Sequence, residues 1–453
     1  MKKKKRRGIS MGTVFMLVIT LATLVVSLQL IPMLAGQTAL KLGDAQTIVS
    51  ALTNELHLPA LQLADIPIFH SGETPPPYDP PAPTLGEIGL PSKETAETAT
   101  PAPTPTPVPQ KRSFTLTAAG SFGLDKAIYQ SCYYKESETY DFSPILGHIA
   151  DAVTGDLKVF TFENLIDSNQ KISDLNAPSE AMDAVKEAGF DLAFLGHEKA
   201  MNLGLSSLGQ TIGALSGQGF SVVGGYDSKA DAERQLIMDI NGVQVAVLHY
   251  TETIADAGQK NIKKEDAAFA LPLMKAPIIA ADIAAVREKG AQVVIVSLHW
   301  GKLNTHTPTK AQTTLAQQLA DAGADVILGA HARAIQPVVY LTADRGNGTQ
   351  SQTLVAYSLG ALMTSSRDSV NIAAILLHLN IAYDPATAAV SFEEVSYSPL
   401  YFWRYKEDGR NVYEAVLSNR EPPESMSSDQ IEVMERALKR ATDTLKDSCA
   451  ALR

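Results

Sequence analysis

Cysteine is scarce in this 453-residue chain: only Cys132 and Cys449 occur. That excludes a disulfide-rich framework and leaves the fold to be held by its core. Whether the two pair with each other or remain thiols is open from sequence. A second absence is charge of either sign between residues 8 and 40, "GISMGTVFMLVITLATLVVSLQLIPMLAGQTAL". A bilayer needs about 20 apolar residues, so residues 11–34 are read as a transmembrane anchor. The rival is a cleaved signal peptide, whose apolar part usually runs about 7 to 15 residues. Six Lys and Arg precede the span in the cytoplasmic tail 1–10, which sets the N-terminus inside and the rest outside the membrane. Basic charge is in short supply thereafter: net charge is −11 for the whole chain and −17 beyond residue 7. Such a body repels phosphate polymers, so nucleic acid is not an expected partner. The glycine-rich "GQGFSVVGGY" and "GNGTQSQ" are not followed by helices as phosphate loops are, and read as turns.

What is present divides by composition. A mixed juxtamembrane segment, 35–72, leads to a Pro/Thr-rich stretch, 73–110, that holds nearly half of the 25 prolines. Proline at that density favours extended polyproline II and cannot build a core, so this segment is expected to be a disordered stalk. From residue 111 to 425 short apolar runs alternate with helical stretches: "SFTLTAAG", "LKVFTFENL", "FDLAFLG", "GVQVAVLHY", "AQVVIVSLHW" and "ADVILGA" read as strands. This is an α/β pattern with mostly parallel inner strands. "VNIAAILLHLNIAY" and "AAVSFEEVSYSP" suggest an antiparallel pair, and residues 426–453 a closing helix behind a Ser or Asp cap.

In α/β folds chemistry gathers where strands end. The residues there are Gly120 and Ser121, Glu163 and Asn164, His197 and Glu198, His249 and Glu252, His299 and His306, and His331 and Arg333, so five of the nine histidines occupy strand ends. Alternation sets Glu163 and Asn164 on opposite faces, with Asn164 taken as the one facing the cavity. His306 is expected to be exposed and His249 to be a hydrogen-bonded core-edge residue. Asp125 reaches the cavity only if the turn "SFGLD" folds back.

The order "GFDLAFLGHEKAMNLGLSSLGQTIGALSGQGFSVVGGY", "LHWG", "DAGADVILGAHARAIQP" and "AYSLGAL" resembles the CapA family of capsule (poly-γ-glutamate) synthesis proteins over roughly residues 114–400. That resemblance implies a metallophosphoesterase-like β-sandwich flanked by helices, with a two-metal centre at the strand ends. The scaffold positions match and the ligand positions mostly do not. Where the family has Gly-Asp this chain has Gly120-Ser121, and Asn-Leu-Glu becomes Asn164, Leu165 and Ile166. Asn-Asn-His becomes His197, Glu198 and Lys199, and Gly-His-His-Pro-His becomes Gly329, Ala330, His331, Ala332 and Arg333, whereas His299, Trp300 and Gly301 persist.

A two-metal centre needs oxygen and nitrogen donors on both ions. Ser is a poor donor, Ile none, and Lys or Arg repels a cation, so the inherited pair of metals is expected to be lost and the protein to be a pseudoenzyme. Three readings stay open. In the first, no metal is present and the cavity binds an anionic envelope polymer through Arg333, Lys199, His331, Asn164 and Trp300. In the second, His197, Glu198, His299 and His331 hold one Zn²⁺ or Mn²⁺, with His299 and His331 as the candidate catalytic residues of an altered hydrolase. The third is an inert display scaffold. Oligomeric state is left open.

Overall fold

The structure, a computed structural model, describes residues 110–345 and 350–453. The anchor at 11–34, the segment at 35–72 and the stalk, apart from Gln110, lie outside them. No helix among the described residues is long and apolar enough to cross a membrane.

In chain order the strands are β1 (Arg112–Phe122), β2 (Tyr133–Tyr134), β3 (Thr139–Tyr140), β4 (Leu157–Phe162), β5 (Leu192–Phe194), β6 (Ser221–Val223), β7 (Leu236–Ile240), β8 (Val243–Thr251) and β9 (Val293–Trp300). There follow β10 (Val326–His331), β11 (Val338–Asp344), β12 (Gln350–Ala356), β13 (Ala361–Met363), β14 (Ala373–Asp384), β15 (Ala389–Glu407), β16 (Arg410–Leu417) and β17 (Ala451–Leu452). One sheet has the order β16-β15-β14-β1-β4-β5-β6, with β13 also on β1 and β17 on β15; the other runs β11-β12-β10-β9-β8-β7. β1, β4, β5 and β6 are mutually parallel, as are β8, β9, β10 and β12, whereas β14 to β16 form antiparallel pairs. The parallel inner strands and the antiparallel pair at β14 and β15 are as the apolar runs suggested.

Period-two alternation builds the layers. On β9, Val293 and Ile295 join Phe114, Leu116 and Ala118 of β1 in the core between the two sheets. The alternate residues Val294, Val296, Leu298 and Trp300 face the outer side, under the helices Ala276–Glu288 and Lys310–Asp321. Because both faces are covered, the strand is buried along its whole length and reads as an unbroken apolar run. The opposite outer face, behind the first sheet, packs beneath the helices Ala181–Glu187 and Leu205–Gly217.

The closing helix is shorter than the sequence suggested. A capping box at Ser427 and Gln430 starts it, and Met434, Ala437, Ala441 and Leu445 bury its apolar stripe over the Ser428–Leu445 span. The stripe ends at Leu445. Beyond it, Ser448 Oγ accepts from Val338 N and Cys449 N donates to Val338 O, so the chain returns to the sheets as β17. Cys132 and Cys449 are free thiols, the first within the cluster behind the first sheet and the second against the inter-sheet core.

Candidate functional site

The carboxyl ends of β4, β5, β9 and β10 bring six side chains together. Two glycines let the strands close to this degree: a Cβ on Gly120 would sit 1.9 Å from the Gly360 carbonyl oxygen, and one on Gly329 would sit 1.9 Å from that of Tyr357. Both positions keep the family's glycine for a reason of space.

His299, at the end of β9, is 2% exposed and lies at the centre. Its Nε2 is 3.1 Å from Glu163 Oε1, and its Nδ1 is 3.4 Å from Glu198 Oε2. His331 Nδ1 is 3.5 Å from the same Glu198 oxygen. Arg333 Nη2 donates to Glu163 Oε2 at 3.2 Å, and Lys199 Nζ stands 3.9 Å from Glu198 Oε1. Burial pushes the Glu163 carboxyl up, but the hydrogen bond from His299 and the charges of His299, Arg333 and His197 outweigh it and hold it well below the usual carboxylate range. Glu198 is likewise opposed by burial and ends at about 2, lowered by its hydrogen bond with His331 and the charge of His299.

The loop after β10 is strained. His331 has φ 88° and Arg333 φ 56°, both left-handed values in residues that carry a Cβ. Buried Ala332 and Ala334 pin the intervening positions, Ala332 O accepts from Asn304 N, and Ser121 Oγ accepts from His331 N at 3.4 Å. The strain aims an imidazole and a guanidinium at the two glutamates.

Several expected contributions change. Asn164 does not face the cavity: its amide accepts from Leu124 N and donates to Leu124 O and to Tyr129 Oη, tying two loops together. Alternation holds, but with the faces reversed, and Glu163 is the residue that points in. Gly123 makes room for it, since a Cβ there would lie 3.1 Å from Glu163 Oε2. Trp300 is fully buried on the helix-covered side, stacked on Tyr357 and donating to its carbonyl oxygen, and so is packing rather than a ligand contact. Ile166 belongs to the apolar cluster behind the first sheet, with its N–H on Thr211 Oγ1. Glu163, three residues earlier, supplies the cavity's carboxylate on this strand end.

His197 is buried but sends no donor atom to the cluster. Its Nδ1 accepts from Lys199 N at 3.4 Å and its Nε2 has no partner among the described residues. Burial and then the nearby His299 lower its pKa to about 4. His249 is a core histidine, donating from Nε2 to Gly196 O and accepting at Nδ1 from Ser297 Oγ. His306 is half-buried rather than exposed, with Nδ1 on Ile335 O, because the loop that carries it folds over the β10 loop. Asp125 caps the helix Lys126–Cys132, accepting from Ala127 N and Ile128 N. Glu252 holds the turn after His299 by accepting from Gly301 N.

The family described as "Bacterial capsule synthesis protein PGA_cap" matches residues 115–366. The chain belongs to this family. It is 30% identical over 221 residues to the PGA biosynthesis protein CapA of Bacillus subtilis (strain 168), covering 46% of this chain and 54% of that protein. To the capsule biosynthesis protein CapA of Bacillus anthracis it is 30% identical over 190 residues, 41% of this chain and 43% of that one. The chain thus spans about half the length of the curated relatives it matches. The fold is mixed α/β. Among solved structures the chain is similar to the calcineurin-like phosphoesterase YfkN from Bacillus subtilis, at 12% identity and TM-score 0.36 over 75% of this chain and 99% of that one. The NAD nucleotidase NadN of Haemophilus influenzae gives 11% and 0.40 over 76% and 57%.

The donors present can be tested against the two metals that the family resemblance implies. A pair of ions is not accommodated: Ser121 replaces the expected carboxylate, Asn164 is consumed elsewhere, and the Arg333 cation stands in the loop position where the family has a histidine. A single ion is accommodated. Glu198, His299 and His331 offer donor atoms that all lie within 4.8 Å of one another. Three ligands at bond lengths of about 2.0–2.2 Å in tetrahedral directions stand about 3.3–3.6 Å apart. Two of the three donor separations, 3.4 and 3.5 Å, match this edge.

Proposed function

We propose that the protein serves the synthesis or attachment of an anionic capsule or envelope polymer, anchored by residues 11–34 with its domain outside the cell. We further propose that its strand-end cavity holds one divalent cation, Zn²⁺ or Mn²⁺, beside the built-in cation of Arg333. The carrying observation is the convergence of three donors: Glu198 Oε2 lies 3.4 Å from His299 Nδ1 and 3.5 Å from His331 Nδ1, and the donor atoms of the three residues all fall within 4.8 Å of one another.

Glu163 then acts as the outer partner that fixes the His299 tautomer, the usual arrangement behind a metal-bound imidazole. When bound, the ion would supply Lewis acidity toward an anionic group. Arg333 and Lys199, with side chains about half exposed, would orient that group. Without the ion the two glutamates balance the two basic residues and the cavity offers little net attraction to a polyanion. A metal-free cavity is the second reading, favoured by the fact that Arg333 and His299 already compensate Glu163.

Equilibrium dialysis of the full-length protein against Zn²⁺ and Mn²⁺ separates the two. One tightly held ion per chain, lost in His299→Ala and in Glu198→Gln, is the expected result. Absence of stoichiometric binding would give the cavity to the metal-free reading.

A further inference from the structure

A groove of about 620 Å³ lies away from the strand ends, between the β13–β14 connection, the β15–β16 hairpin and the first turns of the helix Ser428–Leu445. Its walls carry four basic side chains, Arg367, Arg404, Lys406 and Arg436, against one carboxylate, Asp429. That bias is opposite to the charge of the chain as a whole, −11.

Among the described residues, three of the four basic side chains are not neutralised by a carboxylate. Arg436 pairs with Glu432 at 2.8 Å, one turn away on its helix. Arg367, Arg404 and Lys406 have no carboxylate partner among the described residues, although the hairpin also carries Glu407 and Asp408. Glu407 pairs with Arg410 at 3.8 Å instead. Arg404 is braced without being neutralised. Its Nη2 donates to Asn411 Oδ1 at 3.0 Å and its guanidinium lies over the Tyr413 ring at 5.6 Å. A planar fork held by an amide and a ring keeps its remaining N–H edge for a planar anion, the geometry that suits bidentate carboxylate.

We propose that this groove is a second binding site, for a flexible polymer bearing carboxylates at regular spacing. The inference rests on the family's role in capsule polymer synthesis and deepens it by naming where the chain is held. The volume favours a chain over a single small anion, and the cations come from separate segments at positions 367, 404 and 406, and 436. The β13–β14 connection also links the groove to the strand-end loops. Asn371 Nδ2 donates to Asn304 Oδ1 beyond β9, and Ser365 Oγ donates to Asp125 beyond β1.

The test is binding of a defined poly-γ-glutamate oligomer to full-length protein at low and high salt. Its uncharged side-chain amide and poly(glycerol phosphate) serve as comparison polymers. The double variant Arg367→Glu/Lys406→Glu changes exposed side chains that have no hydrogen-bond partners, so it retains the fold. Arg404→Gln is the second variant. Each is expected to weaken oligomer binding at least tenfold and to flatten its salt dependence, without altering metal stoichiometry in the cavity. Wild-type affinity in both variants would overturn the groove. If affinity is lost in Lys199→Glu/Arg333→Glu while the groove variants bind normally, the groove fails and the strand-end reading stands. Preference for poly(glycerol phosphate) over the carboxylate oligomer would overturn the assigned chemistry.

Discussion

The strand-end cavity and the groove beside the β15–β16 hairpin treat charge in opposite ways. In the cavity each glutamate meets two or more basic groups, Glu163 with His299 and Arg333, Glu198 with His299, His331 and Lys199. In the groove three cations stand without a carboxylate, one of them braced by an amide and an aromatic ring. The difference follows from burial. A carboxylate as enclosed as Glu163 cannot stay ionised without partners, whereas a half-exposed guanidinium keeps its hydration and costs little when left alone. A buried, balanced cluster suits fixing one ion in place; an open, unbalanced groove suits attracting a mobile polyanion.

Four perturbations test that contrast. The largest effect is expected from His299→Ala, which removes the central donor and leaves Glu163 and Glu198 facing each other. Metal affinity should fall by at least about 100-fold, and denaturant titration should show a loss of about 3–5 kcal/mol, the range for breaking a buried pair. Unchanged unfolding would mean that the cluster is loosely held. Next, Glu163→Gln keeps the shape but weakens the acceptor behind His299. A reduction of about 10–100-fold in metal affinity is the range for such outer partners, read by competition with a chromogenic chelator; no change would detach Glu163 from the site.

A third, smaller effect is acid sensitivity, and it comes from histidines outside both sites. Burial lowers the pKa of His249 to about 3, and burial and then Arg453 that of His378 to about 4. His378 lies between Thr117 Oγ1 and Ser398 Oγ. A histidine unfolds to a pKa of about 6.5, so below that pH the unfolded chain binds protons that the folded chain refuses. Stability is therefore complete above pH 6.5 and falls as pH drops toward the folded values near 4 and 3. Thermal melts from pH 7 to pH 4 should show this decline, and His378→Gln should make it shallower. A melt independent of pH over that window would contradict the burial argument. The smallest effect belongs to the groove. Arg367→Glu/Lys406→Glu should change stability by no more than about 0.5 kcal/mol, as expected of exposed side chains without partners. A larger loss would show that those cations support the fold.

The scaffold was legible because buried parallel strands write themselves as apolar runs, as "VVIVSLHW" does. The register of that same strand also places Trp300. Val294, Val296, Leu298 and Trp300 fall on one face, and Ser297 and His299 on the other, so Trp300 belongs with the helix-facing set. Glu163 was the harder case. Alternation states that Glu163 and Asn164 point oppositely but not which face is the cavity, and the family's Asn drew attention to the wrong one. The nearby Gly123, with no side chain to crowd Glu163, was the available signal. The left-handed φ values of His331 and Arg333 had no signature in residue type. Nor did the groove, whose cations become neighbours only after β14, β15 and the closing helix are packed.

One divalent cation and the Arg333 guanidinium are proposed to share the strand-end cavity. Anomalous diffraction at the zinc edge from crystals of the full-length protein grown with Zn²⁺ tests that proposal most directly. The account predicts a single peak about 2.0–2.2 Å from Glu198, His299 Nδ1 and His331 Nδ1, with the Arg333 guanidinium still on Glu163. Two peaks, or no peak with Lys199 or Arg333 lying among those three donors, would contradict it.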